Sequence, residues 1–198
     1  MASKESLTVG VLALQGAFAK HQEALEVLGV ATLQVRKPED LLLCDGLIIP
    51  GGESTTILTQ MKFIELINPV LEFAKTKPIF GTCAGLILMS KEVLNFSQEP
   101  FGILDVVVER NAYGRQIASF STEIDIPSLM NKCGAFFIRA PRIVRCGPNV
   151  QILATYEDEP VLVQQGHHLG ATFHAELTSD TLLHEYFLSI ITNVKNIK

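Results

Sequence analysis

The sequence has no tryptophan, a charged fraction of only 19% and no block of basic residues. Lys and Arg number 16 against 21 Asp and Glu, a formal net charge of −5. Without a basic patch there is no electrostatic footprint for a phosphate backbone, so nucleic-acid binding is excluded as a function class. Long apolar runs are also missing. Stretches such as Val9–Leu14 and Gly46–Pro50 fall far short of the roughly 20 residues of a membrane-spanning helix. The polar start, Met1-Ala2-Ser3-Lys4-Glu5-Ser6, runs directly into a strand-like segment and does not read as a signal peptide. The four cysteines, Cys44, Cys83, Cys133 and Cys146, form no C-x-x-C pair and no zinc-ligand spacing. They are expected to be reduced thiols in a cytoplasmic protein.

What is present is material for a core. A chain of 198 residues, 47% of them hydrophobic, suits one globular domain over 1–198. In the first half, apolar runs alternate with amphipathic stretches. Strands are expected at Thr8–Leu14, Val30–Val35, Gly46–Ile49 and Pro78–Gly81. Helices are expected at Ala17–Leu28, Pro38–Leu43, Ser54–Phe73 with a break near Pro69, and Ala84–Ser90. This order implies βαβ units and a mostly parallel sheet flanked by helices, a three-layer α/β fold. From Asp105 to Phe173 short β segments follow: Val106–Glu109, Ser119–Ile124, Ala135–Ile138, Gln151–Tyr156, Val161–Gln165 and Leu169–His174. They extend or decorate the sheet, and Thr181–Thr192 closes the chain as a helix. In such sheets, sites form at the carboxyl ends of the strands. The loops to search therefore follow Leu14, Ile49, Gly81 and Phe173.

Gly81-Thr82-Cys83-Ala84-Gly85 is a G-x-C-x-G pattern between a strand and a helix, the cysteine form of a nucleophile elbow. Cys83 is the candidate nucleophile, whereas the other three cysteines read as buried structural thiols. A thiol needs a base, and a base needs an orienting partner. His174 and Glu176 stand two apart after the last strand, a spacing that places both on one face of extended chain. His167, His168, His174 and Glu176 are near in sequence, but adjacent His167 and His168 cannot point the same way from a strand and no H-E-x-x-H helix exists, so no metal is expected. His167 and His168 read as turn-flanking residues and His184 as a surface or packing histidine. Pro50-Gly51-Gly52-Glu53-Ser54 lacks the P-loop lysine, and Glu53 would repel a phosphate. Exposed amides of Gly51 and Gly52, with that of Ala84, instead suit an oxyanion hole.

These motifs resemble class I glutamine amidotransferase domains. Gly10–Gly16, Pro50–Thr56, Arg110-Asn111-Ala112-Tyr113-Gly114-Arg115-Gln116 and Phe137–Pro141 are similar, more narrowly, to glutaminase subunits of two-component pyridoxal 5′-phosphate synthases. The family usually reads His-Pro-Glu, and Ala175 stands here in place of the proline. The resemblance implies L-glutamine as substrate, held by Gly51, Gly52, Glu53, Arg110, Ile138 and Arg139. A guanidinium such as Arg110 matches an α-carboxylate as a two-pronged donor. The resemblance also implies hydrolysis to glutamate and ammonia through a γ-glutamyl thioester, no cofactor in this chain, and a separate (β/α)8-barrel synthase subunit that receives the ammonia. Gln15, Lys20 and His21, at the loop and helix start beside the site, are the expected docking residues. A glutaminase feeding another synthase, such as one making imidazole glycerol phosphate, would share the triad without the Arg110–Gln116 stretch. A cysteine peptidase would not call for it either.

Overall fold

The computed structural model describes residues 7–110 and 119–197; the polar start and residues 111–116 of the arginine motif lie outside the described residues. The first half runs β1 (Thr8–Leu12), α1 (Phe18–Val27), β2 (Ala31–Val35), a 3₁₀ turn (Pro38–Leu43), β3 (Gly46–Ile49), α2 (Ser54–Phe63), α3 (Ile67–Ala74), β4 (Ile79–Thr82) and α4 (Ala84–Met89). The second half is β5 (Ser90–Leu94), β6 (Leu104–Glu109), β7 (Ser119–Ile126), β8 (Asn131–Ile138), β9 (Arg142–Cys146), β10 (Gln151–Tyr156), β11 (Glu159–Gln165), β12 (His168–Ala171) and α5 (Leu182–Asn196).

Seven strands make the central sheet in the order β10-β11-β12-β4-β3-β1-β2. The five from β12 to β2 are parallel, and β10 and β11 extend one edge antiparallel. Period-two alternation sorts the side chains of each buried strand onto two faces. Leu12, Leu47, Ile49 and Ile79 join one core with Ile57, Leu58, Met61 and Val70 of α2 and α3. Val9, Val11, Ile48 and Phe80 join the other with Leu25 of α1 and Leu183, Phe187 and Ile191 of α5. The result is the expected three-layer α/β architecture.

Several boundaries differ from expectation for physical reasons. The break in Ser54–Phe73 falls at Ile64–Leu66, where Glu65 has φ 54°, and not at Pro69. Pro69 lies in the first turn of α3, where the N–H it lacks would have no intrahelical partner. The β segments do not all join the main sheet: β5, β6 and β9 form a separate three-stranded sheet and β7–β8 a hairpin. Strands β5 and β9 were not expected, because SKEVL and RIVRC carry too little apolar alternation to stand out. Leu169–His174 is not one strand. β12 ends at Ala171, and His174 is held by a bridge to Phe136 of β8, with N···O distances of 2.8 and 3.2 Å.

His168 is buried at the start of β12, not merely turn-flanking. Its Nδ1 accepts the Ile79 N–H at 3.2 Å. Burial, reinforced by the charge of His167, lowers its pKa from 6.5 to about 4. The unfolded chain therefore takes up this proton at a higher pH than the folded chain, and stability falls as pH drops through the interval between those two values. For His168 the loss amounts to about 2 kcal/mol between about pH 7.5 and about pH 5. Denaturant titrations at both values should show the pH dependence of His168→Asn reduced by that amount relative to wild type.

Candidate active site

The four loops singled out above follow β12, β4, β3 and β1, which are neighbours in that order in the sheet. Their adjacency brings residues far apart in sequence to one cleft of ≈ 480 Å³. Cys83, His174, Gly51, Gly52, Glu53, Arg110, Ile138, Arg139 and Gln15 all line it, together with Ser54, Ile87 and Leu177.

Cys83 sits at the turn between β4 and α4 with φ 49° and ψ −101°, a left-handed backbone that L-residues seldom adopt and that elbows hold at functional sites. Its N–H donates to the Ala171 carbonyl at 2.9 Å, which ties the elbow to the end of β12. A Cβ on Gly85 would run into the Ile49 carbonyl, so the turn can close on β3 only with glycine there. Ala84 opens α4, and a first-turn amide has no intrahelical partner.

His174 Nδ1 lies 2.7 Å from Glu176 Oε1, and the imidazole also contacts the Cys83 thiol. Burial by itself would lower the His174 pKa, but the hydrogen bonds with Cys83 and Glu176, and their charges, raise it well above the ordinary histidine value. Glu176 is 4% exposed. Burial would raise its pKa, and the adjacent His21 and His174 hold it below the usual carboxylate range. The three groups thus form a thiol–imidazole–carboxylate line. Gly51 is required by close approach, because a Cβ there would enter the His174 ring.

The Gly51–Glu53 loop is braced from three sides. Gly51 N–H donates to Thr82 Oγ1 at 3.1 Å, and Gly51 carbonyl accepts from Ala17 N–H at 3.0 Å. In this conformation the Gly51 amide is therefore committed to Thr82, a correction to its expected place as a free oxyanion donor. Glu53 N–H donates to Gln15 Oε1 at 2.7 Å. The Glu53 carboxylate caps α2, accepting from Thr55 N–H and from the Thr56 N–H and hydroxyl, and pairs with Arg110 at 3.3 Å. Burial raises the Glu53 pKa, but the hydrogen bonds from Thr56 and Thr55 outweigh it and lower it. The Arg110 guanidinium also lies over the Phe96 ring, 4.9 Å from its centre. Arg139, at the end of β8, has φ 43°.

The expected docking residues separate. Lys20 is exposed and pairs with Glu23 at 2.6 Å. Gln15 is a strut of the glycine loop. His21 is 0% exposed and therefore cannot touch a partner; it points from α1 into the core because Leu25, one turn on, shares that buried face. His184 is buried beside it. Thr82 and the bracing role of Gln15 escaped sequence reasoning. A hydroxyl residue inside an otherwise apolar buried strand was the available signal for Thr82. Among the described residues no group of three or more His, Cys, Asp or Glu is placed to hold a metal, and no helix is long and apolar enough to cross a membrane.

A parallel sheet flanked by helices, with a strained cysteine elbow facing a histidine–glutamate pair, defines the class I glutamine amidotransferase-like fold. A crystal structure described as a glutamine amidotransferase matches with a TM-score of 0.89 at 44% identity, covering 93% of this chain and 98% of that one. A chain of PurLQS from Thermotoga maritima shares the fold alone, at TM-score 0.66 and 16% identity over 95% of this chain and 98% of its own. Residues 11–193 match the model of the SNO glutamine amidotransferase family, and the chain belongs to that family. Proteins named pyridoxal 5′-phosphate synthase subunit PdxT are similar over almost their whole length. That of Thermosipho africanus is 51% identical over 186 residues, 93% of this chain and 99% of its own. That of Thermotoga maritima is 51% identical over 187 residues, 93% of this chain and 100% of its own.

Removing the Glu53 cap tests the loop energetics. Glu53→Ala should lower unfolding free energy by about 1 kcal/mol, read by urea titration, and Glu53→Asp should recover much of it by capping the same amides.

Proposed function

We propose that this chain, as a single glutaminase domain over 1–198, hydrolyses L-glutamine to L-glutamate and ammonia for pyridoxal 5′-phosphate synthesis. The observation that carries this reading is the likeness to PdxT subunits over 93% of the chain, with Cys83 and His174 lining one cleft and Glu176 buried behind His174. Cys83 thiolate attacks the side-chain carboxamide carbon, forming a C–S bond as the C=O π pair moves onto oxygen to give a tetrahedral oxyanion. Amides of Ala84 and Gly52 stabilise that charge. His174, held by Glu176, gives its proton to the leaving nitrogen, so ammonia departs and a γ-glutamyl thioester remains. Water then adds to the thioester carbonyl as His174 takes its proton, and glutamate leaves as the thiol is restored.

Substrate recognition follows from the cleft lining. Arg110 receives the α-carboxylate, already aimed by Glu53 and Phe96. Ile138 and Arg139 close the opposite side from β8, which the Phe136 bridge ties to His174. The ammonia acceptor is a (β/α)8-barrel synthase subunit, and the site of action is the cytoplasm. Gln15 and Lys20 remain docking candidates. The Gly51–Gly52 peptide is tied through the Gly51 carbonyl to Ala17, at the start of α1. A partner that engages this helix start can therefore release the peptide to rotate and supply an oxyanion donor, a population shift driven by differential binding.

Glutamate release from glutamine, measured with and without the barrel subunit, tests the reading. The barrel should raise kcat by about 100- to 1000-fold, the worth of one oxyanion donor. Full activity of the free chain would end the switch. Cys83→Ala should abolish turnover with the fold intact, whereas Cys44→Ala, Cys133→Ala and Cys146→Ala should not. Glu176→Gln should lower kcat more than it alters KM. Arg110→Ala should raise KM by the equivalent of about 1.5–3 kcal/mol; an unchanged KM would remove Arg110 from the substrate site.

A further inference from the structure

Behind the triad, α1 and α5 each press a histidine into the core: His21 and His184 are both 0% exposed. A buried imidazole without partners is costly, and these two are linked, His21 Nδ1 to His184 Nε2 at 3.0 Å. The other nitrogen of His21 faces two oxygens that matter to the site. Thr82 Oγ1 is 3.2 Å from His21 Nε2, and Glu176 Oε2 is 3.4 Å from it. Thr82 is the residue that accepts the Gly51 amide. Glu176 Oε1 is engaged by His174, while Oε2 is buried with no hydrogen-bond partner among the described residues.

The tautomers follow from this geometry. If His184 Nε2–H donates to His21 Nδ1, then His21 presents Nε2–H to Thr82 and Glu176, and the leftover group is the His184 Nδ1 lone pair. The reverse arrangement would bury an unpaired His184 Nδ1–H and aim a His21 lone pair at a carboxylate. The first arrangement is the cheaper one. A hydroxyl has two acceptor positions, so Thr82 can take both the Gly51 and the His21 N–H. Burial disfavours the charged form of both rings: on His21 it outweighs the pull of Glu176, and it drives His184 down to about 3. The titratable groups facing His21 are His184 from α5, and Glu176 and His174 from the segment after β12. Lys20 and Glu23 on its own helix pair with each other at the surface.

We propose that His21, backed by His184, is a positioning residue that holds Glu176 through Oε2 and the Gly51 loop through Thr82. One side chain on α1 thereby sets both the carboxylate that orients His174 and the peptide segment beside the reacting carbon. The inference rests on the reading of Cys83, His174 and Glu176 as a triad. The hold matters more in this chain because Ala175 lacks the φ restriction a proline would impose between His174 and Glu176.

Two measurements on the full chain test it: glutamate release in the presence of the barrel subunit, and the pH profile of Cys83 alkylation by iodoacetamide, resolved by peptide mass. His21→Leu should lower kcat about 10- to 100-fold, the usual cost of removing an outer-shell partner, with KM within about twofold. It should also displace the alkylation profile, which a residue serving only packing would leave in place. His21→Gln, whose amide offers an N–H in the same direction, should keep most of kcat and the wild-type profile. A folded His21→Leu variant with unchanged kcat and profile overturns the proposal, as does a Gln variant impaired as deeply as Leu. Should His21→Leu fail to fold, nitrogen chemical shifts of wild-type His21 decide the matter. Nε2–H with a bare Nδ1 is expected, and the opposite tautomer or an imidazolium overturns it. A wild-type chain that releases no glutamate would end the glutaminase reading instead, while the alkylation profile and the tautomer would still judge the role of His21.

Discussion

Pairing of β4 between β3 and β12 is the constraint on which the rest of the molecule depends. The registers Ile49↔Gly81 and Ala171↔Thr82 end the three strands level with one another. The Cys83 N–H continues the ladder one step further, onto the Ala171 carbonyl. With the strand ends level, the glycine loop, the elbow and the histidine segment have to meet. That alignment leaves little free volume, which is why Gly51 sits against the His174 ring and Gly85 against the Ile49 carbonyl. A side chain at either point would push the strand ends apart.

Level strand ends also bring polar atoms together around the cleft, and several are answered by partners drawn from different elements. Thr82 satisfies the Gly51 amide, Gln15 the Glu53 amide, and Phe136 both backbone groups of His174. Glu176 is the extreme case, an anion 4% exposed that is tolerable only because imidazoles flank it. These braces arrive from the loop after β1 and from β4 and β8, so the cleft is stiff even though loops build most of its wall. Stiffness of this kind holds the Cys83, His174 and Glu176 side chains in one fixed arrangement.

In the second half of the chain β10, β11, β12 and α5 join the framework, and the remaining strands build walls. The β7–β8 hairpin stands off the main sheet and carries Ile138 and Arg139 to the cleft, anchored by its bridge to His174. Strands β5, β6 and β9 form their own sheet and deliver Arg110 from just beyond the end of β6, where Glu53 and Phe96 aim its guanidinium. The doubly wound core and the segment after β12 therefore carry Cys83, His174 and Glu176, and the added strands bring Arg110, Ile138 and Arg139 to the cleft they line.

The local features were legible in the residues themselves. Alternation of apolar runs with amphipathic stretches implies the parallel sheet, Gly81 and Gly85 around Cys83 imply the elbow, and the spacing of His174 and Glu176 implies an oriented base. Each element of the alternation, the elbow and the histidine–glutamate spacing is set by near neighbours in sequence, where backbone sterics and periodicity act directly. Other features depend on which elements become neighbours in space, and these only the tertiary structure decided. Nothing near His21 in sequence says that its ring is enclosed by α5 and the Glu176 segment rather than exposed beside Lys20, since the two residues are adjacent on one helix and differ only in the face they occupy. Strands β5 and β9 are likewise defined by the partners they find and not by their own pattern. Thr82 is an unremarked position in the elbow until β3 lies beside it; its hydroxyl then becomes the acceptor for an amide 31 residues away, because a buried N–H must find an oxygen wherever the packing brings one.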